Sequence, residues 1–244
     1  MKLTRRQLLV GGGFGLSGCA GDSGGAVPAI ASSVAPRPAA TTAATTAATQ
    51  PTTPAVPPSM IPVARSLRSA VPVVAREAWG EDPGTDFRQH RLDRITIHHT
   101  AAEANADTSG AERARSHLRR HRSLGWRDIA YHHLVDRKGV IYEGRPLDAV
   151  GDTATGYDPA GHYLLCLEGD FDTQEPSDQQ LDALVRLVAA VADAFGLDPA
   201  TIKGHGDHAR TTCPGAAVTA RLDDIRARVH AALGRYGLVI VGSG

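Results

Sequence analysis

The sequence has no excess of positive charge: its 26 Lys and Arg are matched by 26 Asp and Glu. Five of those basic residues but only one acidic residue precede Ser66, so the rest of the chain holds 21 against 25, a net charge of −4. A nucleic-acid-binding domain normally shows a basic excess, so that class is excluded. Cysteine is scarce too, with three in 244 residues. Cys19 lies near the N-terminus, which leaves Cys166–Cys213 as the one disulfide open to the remaining chain in an oxidising compartment. Cys166 sits in the apolar run 163–167 and reads more simply as a buried strand residue. The apolar, glycine-bearing run 8–16 is far too short to cross a bilayer. No H-E-x-x-H occurs, which removes that kind of metalloprotease.

What is present begins with an address. Lys2, Arg5 and Arg6 form a basic region ahead of the apolar run, as in an export signal. Arg5-Arg6 resembles a twin-arginine signal, and Leu16-Ser17-Gly18-Cys19 resembles a bacterial lipobox whose cysteine becomes lipidated. An ordinary cleaved signal with an incidental Cys19 is the alternative. Residues 1–19 are therefore expected to direct export, with Cys19 as a lipid anchor to a membrane. Residues 20–72 are Ala-, Thr- and Pro-rich, almost uncharged and without aromatics, so they read as a disordered tether. As a coil such a tether spans roughly 40 Å, and fully extended on the order of 170 Å. Residues 73–235 are one domain's worth of chain, and 236–244 form a short tail.

Within the domain, residues 71–75 read as a short edge strand. Residues 94–99 (R-I-T-I-H-H) are a clear strand, with Ile95, Ile97 and His99 on one face and Thr96 and His98 on the other. Residues 107–121 read as a helix capped by Thr108 or Ser109, with Ala111, Ala114, Leu118 and His121 along one face. Its arginines at 113, 115, 119, 120 and 122 read as a solvated face. Residues 126–135 are expected to form a second strand, turning at 136–139 into a hairpin partner at 140–145. A polar loop spans 148–161, and a strand spans 163–168. A long helix opens at Ser177, with Gln180 completing a capping box, and closes at Gly196. A third helix is expected over 217–233. The fold class is α/β: a single mixed sheet of about five strands with about three helices packed on it.

Residues 202–215 carry the chemistry. They place His205 eight residues before Cys213 and end in Cys-Pro-Gly. An imidazole and a thiolate are two of the three protein ligands that an open zinc site needs. Candidates for the third are His98 or His99, His132 or His133, His162 and His208. Strand alternation allows only one of His98 and His99 to face a given site.

Read together, the motifs resemble the peptidoglycan recognition protein family, also called type 2 N-acetylmuramoyl-L-alanine amidases. They are R-E-A-W-G at 76–80, I-T-I-H-H-T-A at 95–101, W-R-D-I-A-Y-H at 126–132, D-R-K-G-V-I-Y-E-G-R at 136–145 and G-H-x7-C-P-G at 204–215, in family order. The resemblance implies Zn2+ held by His98, His205 and Cys213, with Tyr131 as the active-site tyrosine and Thr211 as the polar residue two before the cysteine. His99, His132, His133 and His208 are then structural. Tyr131 would orient the attacking water or donate to the developing oxyanion, with Thr211 as a second donor. The implied substrate is the amide between N-acetylmuramic acid and L-alanine of peptidoglycan, and the implied state is a monomer. The alternative is a non-catalytic wall-binding module using the same cleft; several relatives lack the cysteine and only bind, so Cys213 favours the enzyme. A purely structural zinc domain is a third reading. One departure stands out: where relatives carry a loop histidine after Val-Gly, this chain has Thr153 or a neighbour.

Overall fold

The computed structural model describes residues 67–108 and 110–235. The export segment 1–19 with Cys19, most of the tether, Ser109 as a helix cap and the tail 236–244 lie outside the described residues. Among the described residues the elements run β1 (Val73–Val74), α1 (Arg76–Trp79), β2 (Arg94–His99), α2 (Gly110–Ser123), β3 (His133–Val135) and β4 (Ile141–Glu143). They continue with β5 (His162–Leu167), α3 (Asp178–Phe195), β6 (Ile202–Gly204), α4 (Ala216–Thr219) and α5 (Leu222–Ala232). The six strands form one sheet in the order β1-β4-β3-β5-β2-β6. Only β3 and β4 pair antiparallel, as the Asp136–Gly139 turn requires; the other pairings are parallel. A mixed α/β sheet was the expectation, and one short strand, β6, was not foreseen.

The alternation in β2 sorts the core into two layers. Ile95 and Ile97 join Tyr163, Leu165 and Leu167 of β5 under α3 and α5. On the opposite face Leu164 and Cys166 pack with Ala114 and Leu118 of α2 and with Trp79 and Tyr131. Helices on both faces explain why β5 is buried along its whole length. The long helix α3 starts as its sequence implies. Ser177 Oγ accepts the Gln180 N–H at 3.1 Å, Gln180 Oε1 accepts the Ser177 N–H at 3.2 Å, and Gly196 closes it in the left-handed conformation.

Three expectations need correcting. The tether does not run to residue 72: Leu67 and Val71 are each 1% exposed and belong to the larger core cluster. The strand expected over 126–135 shrinks to His133–Val135, because the carbonyls of 128, 129 and 131 are taken by Arg145 rather than by a neighbouring strand. The last helix is split between Thr219 and Leu222, where Arg221 leaves helical geometry (φ −103°, ψ 1°).

The segment before Tyr131 is held by buried charge. Arg76, from the first motif, donates to both carboxylate oxygens of Asp128, from the third, at 2.7 and 3.1 Å, and to Gly144 O at 3.1 Å. Asp128 is fully buried and Arg76 is 4% exposed. Removing one member of such a pair strands the other. Asp128→Ala is expected to cost about 3–5 kcal/mol, lowering the melting temperature by on the order of 10 °C for a domain of this size. Calorimetry checks it, and a shift below about 2 °C would mean that the pair is solvated.

Candidate metal centre

β2 lies between β5 and β6, both parallel to it, so the C-terminal ends of these strands open on the same edge of the sheet. Ligand sites of open α/β sheets form at such ends. His98 is the penultimate residue of β2, and His205 follows β6 directly. Their rings approach to a centroid distance of 4.6 Å. Cys213 comes from the following loop, which is tied back on itself: Gly206 N–H donates to Cys213 O at 2.7 Å, and Gly204 N–H to Asp207 Oδ2 at 2.8 Å. The Cys213–Pro214 peptide is cis. Gly215 has φ +89° and lies so close to Phe171 that a Cβ would fall 2.4 Å from its carbonyl carbon. Glycine is therefore required to end the motif.

The outcome is a buried triad. His98 and His205 are 2% exposed and Cys213 is 1%, and one ligand atom from each lies within 4.8 Å of the others. Cys213 Sγ is 3.7 Å from His98 Nδ1 and accepts the His99 N–H at 3.4 Å, which suits a thiolate. Burial, with neighbouring His205 adding to it, holds His98 well below the usual imidazole range, so its ring is neutral and able to ligate. Two buried ring nitrogens, His98 Nε2 and His205 Nδ1, lack hydrogen-bond partners. Unpaired buried nitrogens are costly unless a ligand engages them. The residues fit a soft-to-borderline cation taking N and S ligands, as zinc does.

Tyr131 stands next to this triad, its ring 5.3 Å from that of His98. It lines a cavity of about 90 Å³ together with His98, His205, His121, Trp126, Leu124 and Thr153. Its backbone is fixed from several sides. Arg145 N–H donates to Tyr131 O at 2.8 Å, and the Arg145 guanidinium spans Ile129 O, Asp128 O, Val150 O and Asp152. His121 Nδ1 accepts the Ala130 N–H at 3.0 Å, and its ring packs edge-on against Tyr131. Thr211 Oγ1 accepts the Cys213 N–H at 3.2 Å, leaving the hydroxyl hydrogen to donate elsewhere.

The other histidines part from the triad. His99 faces the opposite layer, where its Nδ1 accepts the Phe171 N–H. His132 Nδ1 accepts the Leu164 N–H and its Nε2 meets Ala149 O at 3.0 Å, which makes it a neutral bridge between strand and loop. His133 bonds Tyr163, and His162 and His208 share the Thr96 hydroxyl. Cys166 and Cys213 are not bonded to each other, so the disulfide alternative falls. The arginine face of α2 is only partly solvated: Arg113 pairs with buried Glu168 at 2.6 Å, and Arg115 donates to Trp79 O. Sequence reasoning missed Thr155, whose Oγ1 lies 2.7 Å from His205 Nε2. A threonine in a polar loop carries no signal of its own; the sequence signal was the departure at this loop.

Residues 88–216 match the N-acetylmuramoyl-L-alanine amidase family. The chain is 31% identical over 163 residues to peptidoglycan-recognition protein SD of Drosophila simulans, covering 64% of this chain and 87% of that protein. It is 29% identical over 133 residues to the endolysin of Enterobacteria phage K11, covering 52% and 83%. The crystal structure of Drosophila peptidoglycan recognition protein SD superposes with a TM-score of 0.58 at 28% identity, covering 63% of this chain and 94% of that one. The family match spans more than half of the chain and both ends of the triad, and the fold of recognition protein SD is the one described above: the chain belongs to the N-acetylmuramoyl-L-alanine amidase family.

Proposed function

We propose that this protein is a zinc-dependent N-acetylmuramoyl-L-alanine amidase that hydrolyses the amide joining N-acetylmuramic acid to the L-alanine of peptidoglycan stem peptides. The observation that carries the reading is the buried His98–His205–Cys213 triad beside Tyr131. The three residues would hold Zn2+. When bound, the ion supplies an activated water at neutral pH and polarises a carbonyl. Tyr131 is then the group that orients the nucleophile or donates its phenolic O–H to the oxygen on which negative charge develops, and Thr211 adds a second donor. Trp126, Leu124, Thr153 and Ala154 line the cavity beside them.

Peptidoglycan as partner is supported by the names of the relatives, both recognition proteins and an endolysin. A recognition-only role is the competing reading, because the relatives called recognition proteins carry no activity in their names. Export with a lipid anchor at Cys19, a tether up to the domain and a monomeric state complete the proposal. Among the described residues no helix is long and apolar enough to cross a membrane. The test is digestion of purified peptidoglycan by the protein before and after chelation, then with zinc restored. Release of free stem peptides that chelation stops and zinc restores supports the amidase; binding without release under zinc-replete conditions leaves the recognition module.

A further inference from the structure

We propose that Thr155, backed by Thr153, is the positioning residue that fixes the tautomer and ring orientation of His205. The proposal rests on the zinc reading above and deepens it, because no property of the three ligands alone dictates which nitrogen of His205 faces the metal. Thr155 Oγ1 lies 2.7 Å from His205 Nε2. The same oxygen is 2.8 Å from Thr153 Oγ1, which also accepts the Thr155 N–H at 3.1 Å. On the other side of the ring, His205 Nδ1 is buried and has no hydrogen-bond partner.

A neutral imidazole has one N–H and one lone pair. A proton on Nδ1 would be a buried donor with nothing to receive it, and Nε2 would have to draw a hydrogen bond from Thr155. With the proton on Nε2 every group is placed: His205 Nε2–H donates to Thr155 Oγ1, the Thr155 hydroxyl donates to Thr153 Oγ1, and the Nδ1 lone pair is left for the cation. Metal-bound histidines use their second nitrogen in this way, and losing the outer partner typically weakens metal binding about 10–100-fold. Thr153 also lines the cavity beside His98 and Tyr131, so the hydroxyl chain starts at a ligand and ends at the substrate wall.

The test uses Thr155→Val, which keeps shape and removes the hydroxyl, and Thr155→Ser, which restores it. Zinc affinity is measured by competition with a chelator of known strength, and imidazole 15N spectra of the metal-free protein report the His205 tautomer. The expected result is about 10–100-fold weaker zinc binding for Thr155→Val, recovery to near the parent value for Thr155→Ser, and an Nε2–H tautomer in the parent protein. Apo melting temperature serves as the folding control. Parent-like zinc affinity in a folded Thr155→Val, or an Nδ1–H tautomer in the parent, overturns the proposal. If Thr155→Val does not fold, Thr155→Ser and the parent tautomer decide. If the parent binds no zinc, the metal reading fails on its own, and the tautomer still decides the hydroxyl chain.

Discussion

Tyr131→Phe is expected to lower kcat for stem-peptide release by about 10²–10³-fold, equivalent to roughly 3–4 kcal/mol of barrier. The change removes one oxygen and leaves the ring that packs against His98 and His121. Tyr131 is 8% exposed, and its backbone is held by Arg145 and its segment by His121, contacts that do not involve the hydroxyl. The diagnostic feature is a split between two readouts. Zinc stoichiometry should stay at the parent level, because the proposed ligands are His98, His205 and Cys213, while turnover falls. A purely structural zinc site predicts no rate to lose, and a silent substitution would remove Tyr131 from the chemistry.

The second large effect is loss of stability in acid. Burial pushes His90 down to about 4, and His121 and His133 to about 3. It drives His132 well below the ordinary value. Each of these rings is neutral in the folded protein and committed to packing or a hydrogen bond, as when His90 Nδ1 accepts the Gly161 N–H. Above about pH 6.5 neither folded nor unfolded protein protonates them, and the full stability is present. Below it the unfolded chain binds protons that the folded one cannot, at up to about 1.4 kcal/mol per pH unit for each histidine. Stability is therefore lost as the pH falls from about 6.5 toward 4. Several such histidines together can consume a large part of the roughly 5–15 kcal/mol that a domain has. Melting temperature of the chelated protein across pH 7 to about 4 checks this, with His133→Asn expected to flatten the slope. A melting temperature that holds level across that range would show that these rings protonate without unfolding the domain.

How much of this could be read in the sequence depended on whether a feature was local. The alternation of 94–99 alone separates His98 from His99, and the two rings face different layers. Ser177 and Gln180 announced the start of α3 because a capping box lies within four residues. His205 and Cys213 were legible as a pair from their spacing, and the third ligand needed the motifs taken together. Most of the errors came from distant partners. Residues 126–132 have strand-like composition, but Arg145, His121 and the Arg76–Asp128 pair claim their polar groups. Leu67 and Val71 were masked by the Ala- and Pro-rich sequence before them, and burial in the main core is visible only once α3 is in place. The break at Arg221 has no glycine or proline to mark it. Thr155 was invisible because its role exists only through His205, fifty residues further on.

Mass spectrometry of peptidoglycan fragments released by the zinc-loaded protein decides whether the His98–His205–Cys213 site hydrolyses one particular amide. Free stem peptides beginning with an unblocked L-alanine and glycan strands bearing the intact lactyl carboxylate are expected, both absent when Cys213→Ser is used. Fragments cut within the glycan strand or within the stem peptide, or the same products from Cys213→Ser, would contradict that assignment.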